Sequence, residues 1–175
     1  MLVQKLKEMD HTLGAVQRRV AALQAHQASM ESRLVNSRSA LMAATATYLG
    51  RSYFLSRPLR RNMAVADTLC RFYGGYLLEV DDKEEFEFVT NFVQKKLKTA
   101  TAEVNVGLGS GDEGHEGTWK FRYSSVDARF LSWAVGEPNG STEENCIFLS
   151  GMRSAMYDQP CQGTDLVRFV CEVPF

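Results

Sequence analysis

Residues 136–161 read GEPNGSTEENCIFLSGMRSAMYDQPC, and the reading of this stretch decides how the rest of the chain is understood. Its first eleven positions hold Glu137, Asn139, Glu143, Glu144 and Asn145 and end on Cys146; Asp158 comes later, shortly before Cys161. Like charges crowded into a loop repel one another, so such a cluster is held by rigid anchors, is neutralised by a cation, or simply faces water. Carboxylate and amide oxygens are the donors calcium prefers, and calcium tolerates the irregular geometry of a loop.

Outside this stretch the composition limits the choices. A chain of 175 residues suffices for one globular domain with a real core plus an appendage. Its 20 Lys+Arg against 21 Asp+Glu lack the basic surplus of a protein that grips a phosphate backbone, so nucleic acid is not an expected partner. The run RPLRR, residues 57–61, reads as a solvated basic face. No run of about 18 apolar residues occurs, so no membrane span is expected, and the opening MLVQKLKEMD lacks the apolar centre of a secretory signal. Cys70, Cys146, Cys161 and Cys171 form no CxxC pair and have no histidines nearby to complete a zinc site. They read as two disulfides, for which spacing alone leaves all three connectivities open, and oxidised cysteines imply a secreted or extracellular protein.

From the first residues, apolar side chains recur at alternating steps of four and three. Leu6, Leu13, Val20, Gln27, Leu34 and Leu41 take position a of a heptad, and Leu2, Met9, Val16, Leu23, Met30 and Ser37 take position d. A lone helix would leave this seam in water, so a coiled-coil neck over residues 1–47 that self-associates is expected, with a trimer favoured over a dimer. Gln27 within the seam would fix register.

A globular part occupies residues 48–175. RSYFLSRP (51–58) reads as a strand and turn, with Ser56 capping a helix that starts at Pro58, runs to about Phe72 and stops at Gly74 and Gly75. A second helix, DDKEEFEFVTNFVQKKL (81–97), has Asp82 as its cap, acids in its first turn and lysines in its last, and gathers Phe86, Val89, Phe92, Val93 and Leu97 on one side. Beyond residue 100, short apolar segments broken by Gly, Ser and Asp indicate strands and long loops, so the fold class is α+β with its helices first.

The order SYFLSRPLRRNMAVADTLCRFYGGYLLEV (52–80), VNVGLGSG (104–111), GTWKFRY (117–123), SWAVGEPN (132–139), ENC (144–146), YDQPC (157–161) and FVCEVPF (169–175) resembles the C-type lectin-like domain from end to end of residues 48–175. The resemblance implies disulfides Cys70–Cys171 and Cys146–Cys161, two helices with antiparallel sheets, and a long loop region. It also implies a calcium ion held by Glu137, Asn139, Glu144 and Asp158, with a cis bond before Pro138. Two neighbouring sugar hydroxyls would displace water from the ion while Glu137, Asn139, Glu144, Tyr157 and Asp158 form the carbohydrate-binding set. The EPN order resembles the subset selective for mannose, fucose and N-acetylglucosamine, so glycans of mannose type are the expected partners, met multivalently in a defence-like role.

Two departures bear on this set. Where the family places Trp-Asn-Asp, this chain reads Met156-Tyr157-Asp158, and a phenol supplies no amide oxygen on a short side chain. Asn139-Gly140-Ser141 is also an N-glycosylation acceptor, and a glycan on Asn139 would remove it as a ligand. The competing expectation is therefore a calcium-independent domain of the same fold that binds a protein or other surface, with Tyr157 and Met156 in an apolar patch. Trp119 and Trp133 sit in segments that match core positions. Glu137 and Glu144 could pair as a glycosidase acid and nucleophile, but nothing in the sequence indicates a cleft that would raise one pKa, so no catalysis is expected.

Overall fold

The computed structural model describes residues 1–97 and 105–174, so Val104 and Phe175, the outer ends of the VNVGLGSG and FVCEVPF motifs, lie outside the described residues. The chain divides into two units, Met1–Ala40 and Leu41–Phe175. In the first, α1 (Leu2–Leu41) is one uninterrupted helix of 40 residues, about 60 Å long at 1.5 Å per residue. It spans the whole heptad seam. Gln27 in that seam donates from Nε2 to Glu31 Oε1 at 2.9 Å, one turn along the same helix.

The second unit begins with two corrections to the sequence reading. Residues 42–47, expected in the neck, belong to β1 (Met42–Tyr48), which pairs antiparallel with β2 (Arg51–Ser56). Thr45, Thr47 and Tyr48 are strand formers, and the alternating burial of MAATATY shows a ribbon with one covered face. The helix expected from Pro58 starts later. Residues 59–62 form β3 (Leu59–Asn62), and α2 (Met63–Phe72) is capped by Asn62, whose Oδ1 accepts from Val65 N at 3.0 Å. Ser56, the cap expected from the sequence, is buried and accepts instead from Phe169 N at 2.9 Å, an interaction 113 residues away that no local pattern signals.

Next come β4 (Tyr76–Leu77) and α3 (Lys83–Leu97), the latter as the sequence predicts. Asp82 Oδ1 accepts from Glu85 N at 2.8 Å, and Phe86, Val89, Phe92 and Val93 are buried. The remaining strands are β5 (Asn105–Gly111), β6 (Lys120–Phe121), β7 (Cys146–Ser150), β8 (Met156–Gln159) and the 13-residue β9 (Gln162–Pro174). β9 is the hub: it pairs antiparallel with β2, β3 and β4 and parallel with β5. From β5 the sheet continues through β7 to β8. Both disulfides implied by the resemblance are present, Cys70–Cys171 tying α2 to β9 and Cys146–Cys161 tying the start of β7 to the residue before β9.

One polar cluster interrupts the apolar interior. Glu172 on β9 is fully buried and Glu85 on α3 nearly so. Arg51 reaches Glu172 at 2.9 Å, Asp81 at 3.1 Å and Glu85 at 3.4 Å, so one guanidinium faces three carboxylates. Tyr53 donates to Glu85 Oε1 at 2.6 Å and Tyr76 to Glu172 Oε1 at 2.9 Å, while Glu172 Oε2 has no hydrogen-bond partner. A single positive charge does not offset the desolvation of these acids. Burial, followed by the charge of Glu85, pushes the Glu172 carboxyl up to about 7. Between an unfolded value of about 4.3 and that folded value, the native chain holds a proton that the unfolded chain has released. The stabilisation is therefore complete below about pH 4.3 and is lost as the pH rises through 7. In chelator, the melting temperature is expected to fall between pH 5 and pH 8, and Glu172→Gln is expected to flatten that slope; thermal melts across this range check it.

Candidate functional site

The acidic loop is carried by the segment between β6 and β7 and faces the end of β8. A parallel bridge joins Trp133 to Met156, with Ala134 N donating to Met156 O and Met156 N to Ser132 O, each at 2.7 Å. These bonds bring residues 132–134 alongside β8. Met156, in place of the family's tryptophan, is 1% exposed and fills the core, with its Sδ 3.4 Å from Ser132 N. The expectation that Met156 contributes to a surface patch is thereby corrected. Trp119 is buried as expected and packs edge-on against the half-buried Trp133 with ring centroids 5.0 Å apart.

Asp158 organises the loop. Alternation along β8 turns Met156 and Asp158 inward and leaves Tyr157 and Gln159 half-buried. Asp158 is 2% exposed, and its two oxygens accept from the loop backbone, Oδ1 from Asn139 N at 3.0 Å and Oδ2 from Gly140 N at 2.8 Å. The Glu137–Pro138 peptide between Ala134 and these amides is cis. After Gly140 the chain makes a single 3₁₀ turn over Ser141–Glu143, which returns Glu144 onto Gly140. A Cβ on Gly140 would lie 2.1 Å from Glu144 Cγ, so only glycine admits this close approach.

The acids within this frame share charge unevenly. Glu137 is pushed up to about 7 by burial first, then by its hydrogen bond with Asp158 and the charges of Asp158 and Glu144, while the Asn139 amide opposes the rise. Burial pushes Asp158 upward as well, but the Glu137 hydrogen bond and the Gly140 and Asn139 amides outweigh it, and its carboxyl is held below the usual range. Glu144 is raised by burial and by Asp158 and lowered by Arg61. Metal-free and below about pH 7, the pair holds its proton on Glu137 and its negative charge on Asp158. A raised carboxyl pKa, which nothing in the sequence indicates, is thus present, caused by burial and crowded carboxylates.

Which of the expected residues come together is therefore clear. Glu137, Asn139, Gly140, Glu144 and Asp158 form one interacting group. Their carboxylates do not all lie within 4.8 Å of one another; among the described residues only Glu113 with Cys146 and Cys161 meets that separation, and those two sulfurs are already in a disulfide. Asn139 is exposed and Glu144 half-buried. Tyr157 is tilted against Phe148 with ring centroids 6.2 Å apart, in register with it across β7 and β8. It lines a cavity of about 260 Å³ with Asn105, Ser150, Arg153, Gln159 and Glu137.

Arg61 is a residue that sequence reasoning misses. It belongs to a run that reads as a solvated basic face, yet its side chain is 13% exposed, donating to Gln159 Oε1 at 2.9 Å and pairing with Asp165 at 2.9 Å beside the acidic loop. The signal is ambiguous, since an arginine in a basic run becomes half-buried only when a distant segment covers it.

The donor set is all oxygen, and Glu137 Oε2 is buried with no hydrogen-bond partner. An acceptor of that kind beside a proton-sharing acid pair fits a hard dication, through Glu137, Asn139, Glu144 and Asp158. Asp158→Ala would leave the amides of Asn139 and Gly140 without acceptors. It is expected to cost about 2–3 kcal/mol of unfolding free energy even in chelator, as read by urea denaturation.

Comparison with known proteins bears on the same residues. Residues 60–173 match the Lectin C-type domain family. A perlucin-like protein of Mytilus galloprovincialis is 30% identical over 125 residues, covering 71% of this chain and 77% of that protein. In three dimensions, the C-type carbohydrate-recognition domain of cow CD23, solved in the presence of a GlcNAc2Man3 oligosaccharide, superposes with a TM-score of 0.61 at 21% identity, covering 76% of this chain and 95% of that one. A calcium-independent type II antifreeze protein superposes with a TM-score of 0.59 at 17% identity, covering 74% and 91%. Asp158 beneath the cis Glu137–Pro138 loop, the two disulfides and the β9-centred sheet are thus parts of a known domain, and this chain belongs to the C-type lectin domain family.

Proposed function

We propose that this chain is an extracellular, calcium-dependent lectin that binds glycans of mannose type and is clustered by its N-terminal helix. The observation that carries this reading is the buried, unpartnered Oε2 of Glu137 beside Asp158 in the EPN loop. Glu137, Asn139, Glu144 and Asp158 would hold the ion. Calcium, when bound, supplies open coordination positions that vicinal sugar hydroxyls take. The protein orients the sugar: Glu137 and Glu144 accept hydroxyl protons, the Asn139 amide donates to a hydroxyl oxygen, and Asp158 holds the loop that carries them. The oligosaccharide present with the cow CD23 domain supports this class of ligand. Glu137 and Glu144 act in binding, not in bond cleavage, and the disulfides suit secretion.

One observation favours a second reading. Both Asp158 oxygens are satisfied by backbone amides, so the loop has a frame without metal. A calcium-independent domain that binds a protein or other surface is consistent with that frame. Melting with and without 5 mM calcium, about tenfold above an extracellular-type Kd, separates the two. The lectin gains about 1.4 kcal/mol, a shift of several degrees, and is retained on a mannose column until chelator is added. Glu137→Gln is expected to lose both effects. An unchanged melt with no retention establishes the second reading.

Clustering gives a weak site its reach. A shallow sugar site binds near millimolar, about 4 kcal/mol, and joined sites gain avidity without new contacts. The seam from Leu2 to Leu41 favours a trimer, for which sedimentation equilibrium should return three times the 19.6 kDa chain mass. Leu13→Asp and Val20→Asp together should return the monomer mass.

A further inference from the structure

The Cys146–Cys161 disulfide lies against a cation. Arg122, the residue after β6, places Nη2 2.9 Å from Cys146 Sγ and 3.4 Å from Cys161 Sγ. The same group pairs with Glu113, whose Oε1 is 3.4 Å from Cys161 Sγ. The position is built: Arg122 N donates to Gly109 O at 2.8 Å, and a Cβ on Gly111 would come within 2.7 Å of Arg122 Nη2, so glycine there leaves room for the guanidinium. Arg122 Nε is buried and has no acceptor. A disulfide sulfur is only a weak acceptor, so while the bond is intact Glu113 is the anion that meets the half-buried guanidinium. A thiolate at Cys146 would be a second anion within reach of the same Nη2.

We propose that Cys146–Cys161 is a thiol-exchange site at which an external thiolate attacks Cys161 and Cys146 leaves onto Arg122. A bond forms between the external sulfur and Cys161 Sγ, the Cys146–Cys161 bond breaks, and its electron pair passes to Cys146 Sγ. With a dithiol as reductant, the second thiolate then displaces Cys161. Two electrons have moved to the protein, which holds two thiols, and the reductant is left as a cyclic disulfide. Access sets the direction of attack, because Cys161 is half-buried whereas Cys146 is fully buried. Cleavage also reaches the loop. Cys146 follows Glu144 by two residues and Cys161 follows Asp158 by three, so opening the bond removes the covalent tie between the segments that carry the acidic group. The β7–β8 ladder, which pairs Cys146 with Gln159, and the Asp158 bonds to Asn139 and Gly140 then hold them without it. External thiols thereby tune the loop's hold on its ligand, whichever ligand that is.

The test uses the full chain without calcium or sugar, so its outcome is independent of the lectin reading. The protein is exposed to graded dithiothreitol, quenched with iodoacetamide and mapped by peptide mass; glutathione in a parallel arm traps the mixed disulfide. Cys146 and Cys161 are expected to alkylate together while Cys70–Cys171, buried at both ends, stays oxidised, and glutathione is expected on Cys161. Arg122→Gln is expected to slow exchange by about tenfold or more, because a less stabilised thiolate leaves more slowly. Arg122→Lys keeps most of the rate, and Glu113→Gln, which removes a repelling charge beside Cys161 and frees the guanidinium, speeds it. Opening of Cys70–Cys171 first, glutathione on Cys146, or a folded Arg122→Gln exchanging at the wild-type rate would overturn the proposal. If Arg122→Gln does not fold, an unchanged or slower rate in Glu113→Gln overturns it.

Discussion

A carboxylate buried at the end of a strand and answered by two loop amides is the constraint on which the loop region rests. Asp158 faces inward because β8 alternates, and β8 is held in place by β7 on one side and by the Trp133 bridge on the other. Once fixed, its oxygens define where Asn139 and Gly140 run, and therefore where the acids on either side meet. The same bonds keep Asp158 ionised and force the proton of the pair onto Glu137. Loop conformation, charge distribution and the readiness for a cation thus derive from one side chain.

The domain manages two acid clusters by different means. At the acidic loop, backbone amides and a shared proton offset the repulsion. In the interior, Arg51 stands among Asp81, Glu85 and Glu172 with two tyrosine hydroxyls assisting. The first arrangement leaves a buried oxygen, Glu137 Oε2, without a hydrogen-bond partner. The second is internal and serves to join β2, α3 and β9 at one point, where apolar packing alone would give less directional contact.

Features with local causes are legible in the sequence. The 3.6-residue pattern and the Asp82 cap of α3 are such features, as is the unbroken seam of α1. The order of cysteines and the EPN, ENC and YDQPC motifs mark the family. Features fixed by remote segments are hidden. Ser56 resembles a helix cap because the hydrogen bond it makes to β9 lies 113 residues on. Asn62 is the real cap, and nothing around it outweighs the Ser-Arg-Pro signal. Tyr157 reads as a lost ligand; β8 sets its ring beside Phe148, in a cavity it lines together with Glu137. Nothing local to Glu85, Glu172 and Arg51 signals their meeting, and Arg122 carries no sign of its place beside the sulfurs, because both groupings are assembled from segments far apart in the chain.

The position of β9 has a further consequence for how the molecule is made. Its partners β2, β3, β4 and β5 all precede it, yet none of their pairings with it exists until β9 itself has been synthesised. A nascent chain must therefore wait, with sheet edges unmatched and Cys70 unpartnered by Cys171, until β9 emerges from the ribosome. Chaperone and oxidoreductase engagement at that stage, more than any property of the finished fold, would then govern how much protein reaches the native state.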